Sequence, residues 1–117
     1  MMRRREGADR RRIRLQGLIA EEVQSCLRDD VSDPTLVGVR VTAAVLSADC
    51  RSARVHVTVS RPPAEMEPER ARVTHALVRA TPFLRARLAD AIEMKRVPDL
   101  RFVYEEVAEV EDDAGDP

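Results

Sequence analysis

With 117 residues, 44% of them hydrophobic and 35% charged, the chain is sized for one globular domain with a thin core. No apolar run approaches the roughly 20 residues that a membrane span needs. No apolar stretch follows the basic N-terminus as it would in a secretory leader. Two cysteines, Cys26 and Cys50, make neither a disulfide framework nor a metal-ligand spacing. The expectation is a cytoplasmic protein with reduced thiols and with no metal or cofactor.

The net charge of −1 is unevenly spread. Residues 105–117 hold seven acids and no base, so the rest of the chain stands at +6, and Arg3, Arg4, Arg5, Arg10, Arg11, Arg12 and Arg14 crowd its start. A basic head on a mildly basic body is a footprint of polyanion binding.

Residues 1–9 read as a disordered basic leader. From about Arg10, the positions of Leu15, Leu18, Ile19, Val23, Cys26 and Leu27 trace one stripe of an amphipathic helix. Pro34, which lacks an amide hydrogen and turns Asp33 from helical angles, ends it. Val37 to Ser47 predicts a strand with Val37, Val39, Val41, Ala43 and Val45 on one face. After a polar break at Ala48 to Ser52, the alternation of Ala53, Val55, Val57 and Val59 with Arg54, His56 and Thr58 predicts a second strand. The short break makes the pair an antiparallel hairpin. Arg61-Pro62-Pro63 closes it.

A helix is expected from about Glu67 to Ala80, with Val73, Ala76, Leu77 and Ala80 inward. At Ala80-Thr81-Pro82 the chemistry changes: Thr81 suits an N-cap and Pro82 a first helical position. The reading is a helix kink, with a second helix carrying Leu84, Leu88, Ala91 and Ile92 inward and ending before Pro98. Leu100 to Tyr104 is the last strand, and residues 107–117 read as a disordered acidic tail.

The order α-β-β-α-α-β defines an α+β domain over residues 10–106, in which a kinked helix pair packs on a three-stranded sheet. It resembles a type II KH domain, a fold that binds single-stranded nucleic acid through a GXXG loop between its central helices. No GXXG exists here; Ala80-Thr81-Pro82 stands at the junction.

Several stretches together resemble the ribosome-binding factor A family of bacterial small-subunit assembly factors. They are Asp33-Pro34-Thr35-Leu36 before Val39-Arg40-Val41-Thr42, Leu46-Ser47-Ala48-Asp49 before Ala53 to Val59, Ala80-Thr81-Pro82-Phe83-Leu84-Arg85, and Lys95 to Tyr104. The family usually has Ala-x-Gly at the junction, so Pro82 departs from its pattern. The resemblance implies binding to the free, immature 30S subunit near its neck and decoding region. It also implies late maturation of 16S rRNA, including the 5′ end, a role that matters most in the cold, and release helped by an assembly GTPase.

For a non-enzymatic RNA-binding protein the expected contacts are cations facing phosphates, which position without reading sequence. Candidates are Arg10, Arg11, Arg12 and Arg14 on the first helix, Arg79, Arg85 and Arg87 around the kink, and Lys95, Arg96 and Arg101 around the last strand. An enzyme is the poorer reading. His56 and His75 have no nucleophile turn beside them, and Glu105 and Glu106, adjacent on a strand, point to opposite faces. A protein-docking module, using the sheet edge or the acidic tail, is the other rival; the tail folding back on the basic head is a related expectation. Nothing in the sequence suggests more than a monomer.

Overall fold

A computed structural model of the protein describes residues 2–59 and 66–105, with side chains at 7–59 and 70–105. Its elements are α1 (Met2–Asp29), a 3₁₀ turn (Pro34–Leu36), β1 (Val39–Leu46), β2 (Ser52–Val59), α2 (Met66–Ala91) and β3 (Asp99–Tyr104). The strands lie in the order β1-β2-β3, with β1 and β2 antiparallel and β2 and β3 parallel. Two helices cover one face of this mixed sheet, as an α+β reading requires.

The core is aliphatic. Ile19 and Val23 of α1, Val55 and Val57 of β2, and Val73, Leu84 and Leu88 of α2 are fully buried. Each large side chain removed from water contributes about 1.5–3 kcal/mol. β2, the central strand, buries Ala53, Val55, Val57 and Val59 at the expected alternation, with Arg54 turned outward.

Three expectations change. The first helix begins at Met2, eight residues before Arg10, so residues expected in a disordered leader are helical. Arg, Glu, Ala and Met are all good helix formers, and Gly7 alone is too weak a breaker to stop them. The tail expected at 107–117 lies outside the described residues.

In β1 the strict alternation fails halfway. The pairing with β2 shifts between Val41 and Ala43, a β-bulge at Thr42. An extra residue moves every later side chain to the opposite face. Ala44 and Leu46 therefore enter the core, while Ala43, expected inward, is exposed and Val45 only half-buried.

The expected helix pair is one continuous helix with Pro82 inside it. Thr81 does not cap: its Oγ1 donates back to the Leu77 carbonyl at 2.9 Å. Pro82 removes the amide that Val78 O would accept from, yet one bond is too little to end a helix packed on both sides of the break. Val73, Ala76 and Leu77 before Pro82, and Leu84 and Leu88 after it, are all buried in the same core.

α1 also closes the free edge of β1. Gln24 Oε1 accepts from the Val41 amide at 2.7 Å, and Gln16 Oε1 from the Leu46 amide at 2.9 Å. These edge donors would otherwise need water or another strand.

Candidate nucleic-acid interface

Three segments meet at one end of the sheet: the first half of α1, the hairpin loop 47–52 and the loop 92–98 after α2. The hairpin loop is built around Asp49. Its carboxylate accepts from Ser47 Oγ at 2.6 Å and from the Arg51 amide at 3.0 Å. The Ser47 hydroxyl first, and the Arg51 amide second, hold this carboxyl below its usual range. Cys50 takes a left-handed conformation, φ 61°, and the Cys50 amide reaches Ser47 O at 2.9 Å. With its backbone committed to the turn, Arg51 sends its side chain outward.

The loop 92–98 is held by Arg85. Its Nη2 donates to Val97 O at 2.8 Å and its Nε to Pro98 O at 3.1 Å. A guanidinium suits this task because its planar fork reaches two acceptors at once. Pro98 is buried and the loop arrives at β3 in fixed register, while Lys95 and Arg96 stay exposed.

The three segments enclose a cleft of about 510 Å³. Its cations are Arg11, Arg12 and Arg14 from α1, Arg51 from the hairpin, and Lys95 and Arg96 from the loop; Asp49 and Glu93 are its acids. Arg10 sits beside it in a depression shared with Arg11 and Arg14. Of these cations only Arg12 has an ion pair among the described residues, with Asp9 at 3.4 Å. Cations left without acids on a folded surface focus a positive potential in the cleft between them.

The other candidates divide differently. Arg79 pairs with Asp33 at 3.0 Å and Arg87 with Asp30 at 3.3 Å, tying α2 to the segment after α1. Asp33 also caps the 3₁₀ turn; the Thr35 amide first, and Arg79 after it, hold its carboxyl below the usual range. Arg85 is the loop clamp. These three are therefore engaged within the protein, and the cleft does not include them.

Arg101 lies in a second groove, of about 710 Å³, with Arg54. Its walls are Val78, Thr81 and Pro82 of α2 and residues 100–103 of β3. The expected kink residues Thr81 and Pro82 are thus brought to Arg101 and away from the cleft; Ala80 is half-buried and lines neither. Sequence reasoning missed Arg51 and Arg54. Arg54 was visible as an outward residue of the clearest strand, but Arg51 looked like an ordinary loop charge. No cluster of His, Cys, Asp and Glu able to hold a metal occurs among the described residues. No described helix is long and apolar enough to cross a membrane.

This architecture defines a small α+β domain, two helices on a three-stranded mixed sheet, whose surface carries a cleft of cations drawn from three segments. The model of the family described as ribosome-binding factor A matches residues 11–114. The chain is 35% identical over 100 residues to ribosome-binding factor A of Psychrobacter sp., covering 80% of this chain and 70% of that one. Against the Heliobacterium modesticaldum protein it is 35% identical over 96 residues, covering 82% and 76%.

Among solved structures, the crystal structure of ribosome-binding factor A from Thermus thermophilus superimposes with a TM-score of 0.68 at 28% identity, covering 80% of this chain and 93% of that one. A homology model of the Thermus thermophilus factor, fitted into a cryo-electron-microscopy map of its complex with the 30S subunit, gives 0.55 at 32% identity over 78% and 87%. The chain belongs to the ribosome-binding factor A family.

Proposed function

We propose that the chain binds the free, immature 30S small ribosomal subunit and promotes late maturation of its 16S rRNA, including the 5′ end. It does so in the cytoplasm as a non-catalytic monomer, with an assembly GTPase helping its release. The observation that carries this reading is the cleft of Arg11, Arg12, Arg14, Arg51, Lys95 and Arg96 on a member of this family. Supporting it, a relative was fitted into the map of a 30S complex.

The arrangement suits a folded RNA. Cations fixed on a helix, a tight hairpin and a clamped loop keep their spacing, so they favour one arrangement of phosphates over others. Such contacts set position and orientation, and hold rRNA while processing enzymes act.

Co-sedimentation with purified 30S subunits across a salt series tests the reading, with 50S subunits and duplex RNA as controls. Binding confined to the small subunit and weakening as salt rises is expected, because each neutralised phosphate releases counterions. Equal binding to all three would reduce the chain to a general RNA binder, and no binding would overturn the proposal. The maturation role is checked by replacing the chromosomal copy with the Lys95→Glu/Arg96→Glu variant. Accumulation of 5′-extended 16S rRNA, strongest in the cold, is the expected outcome.

A further inference from the structure

The second groove has a charge problem that the fold itself does not solve. Arg54 of β2 and Arg101 of β3 are direct neighbours in the parallel register. Like charges side by side across a sheet are unfavourable. Neither has an ion pair among the described residues. The groove they border is otherwise apolar, with Val78, Pro82, Leu100 and Phe102 in its walls, and Val78 is 63% exposed.

Its floor is an open strand edge. The amides of Asp99 and Glu105 donate into β2, to Arg51 O at 2.9 Å and Val57 O at 2.8 Å. The period of two along a strand turns Arg101 and Val103 the same way, so the backbone groups of Leu100 and Phe102 face outward. Asp99 and Glu105 bracket the odd-numbered set of β3 that pairs with β2, which places the even-numbered backbone groups on the outer edge of the sheet. An open edge is a template for another extended segment.

The chain leaves the sheet beside this edge, at a fixed point. Glu105 is held by its amide bond to β2, by Thr42 Oγ1 at 3.2 Å from its Oε1 and by His56 Nδ1 at 2.7 Å from its Oε2. Beyond it, residues 106–117 contain Glu106, Glu109, Glu111, Asp112, Asp113 and Asp116, no base, and the apolar Val107, Ala108 and Val110. β3 spans roughly 20 Å at about 3.3 Å per residue. Twelve extended residues reach about 40 Å, enough to turn back and run its full length. A tether this short keeps the segment at an effective concentration of about millimolar.

We infer that residues 106–117 fold back along the outer edge of β3 and occupy this groove. Their carboxylates neutralise Arg54 and Arg101, and their backbone pairs with Leu100 and Phe102. From its anchor at Glu105 the segment meets the β3 groove first, since Arg51 and the cleft on α1 lie beyond the opposite end of β3. The docking itself does not depend on RNA binding. Only one consequence rests on the proposed function: RNA reaching Arg101 must displace the segment.

Amide hydrogen exchange on the intact chain tests the docking directly. The comparison is a full-length variant with the six acids of 106–117 changed to Gln or Asn. At low salt the Leu100 and Phe102 amides are expected to exchange at least tenfold more slowly in the natural chain, with amides inside β2 unchanged in both. Equal exchange of Leu100 and Phe102 in the two chains overturns the inference. In a separate arm, 30S subunits added to the natural chain are expected to speed exchange at these two amides if they bind there. Failure of the chain to bind subunits would remove the proposed function and leave the docking result intact.

Discussion

The amide nitrogen of Val41 lies on the free edge of β1, 2.7 Å from Gln24 Oε1. A half-buried donor with no partner costs about 1–3 kcal/mol. Gln24→Leu, which keeps the bulk and removes the acceptor, is expected to lower unfolding stability in urea by that amount, and Gln24→Glu by much less. A loss below about 0.5 kcal/mol in the Leu variant would mean that water replaces the glutamine. Residues of this kind were not legible in the sequence: Gln16 and Gln24 read as polar positions flanking the apolar stripe, because the partner strand that gives them a task is distant in the chain.

The two cysteines were readable as unpaired thiols but not as unequal ones. Cys26 is buried in the core, and burial, then the neighbouring Glu22, push its thiol up to about 11. Only the thiolate reacts. One fast-reacting thiol per native chain is therefore expected with a disulfide-exchange reagent at neutral pH, assigned to the half-exposed Cys50, and two in denaturant. Two fast thiols in the native chain would mean that the α1 packing opens readily.

At the scale of elements, β2 was legible because its period of two runs unbroken, and β3 as a short apolar run after Pro98, although Phe102-Val103-Tyr104 does not alternate. β1 was legible as a strand but not in its phase. Nothing in Val41-Thr42-Ala43 marks which residue bulges, since any of them fits a strand. α2 was misread at its centre for a related reason. Thr81 and Pro82 have the local chemistry of a helix start, and only the burial of Leu77 and Leu84 in one core shows that packing overrides it. Pro82→Ala restores the donor for Val78 O. Proline costs about 3 kcal/mol relative to alanine inside a helix, less the roughly 1 kcal/mol by which it restricts the unfolded chain. A stability gain of about 1–2 kcal/mol by chemical denaturation is expected. No gain would show that the helix has already relaxed around the proline.

Over the whole molecule, the sequence displayed the cations but not their employment. Arg10, Arg11, Arg12, Arg14, Arg79, Arg85, Arg87, Lys95, Arg96 and Arg101 look alike in a string of letters. Folding separates them into those that hold the protein together and those left to face solvent, because the deciding partners, Asp30, Asp33 and the carbonyls of Val97 and Pro98, come from other segments. This division makes opposite predictions for two sets of variants. Lys95→Ala/Arg96→Ala removes two cations from the cleft. It is expected to lower the slope of log affinity against log salt for 30S subunits by about 2, with little change in stability. Arg85→Gln leaves two loop carbonyls without their donor. It is expected to cost about 1–3 kcal/mol of stability while the salt slope stays within about 0.5 of the natural value. Salt-dependent binding and urea denaturation on the same preparations check both. If Arg85→Gln flattens the slope as much as the double variant does, Arg85 contacts phosphate as well as the loop, and the cleft extends further along α2 than its lining residues indicate.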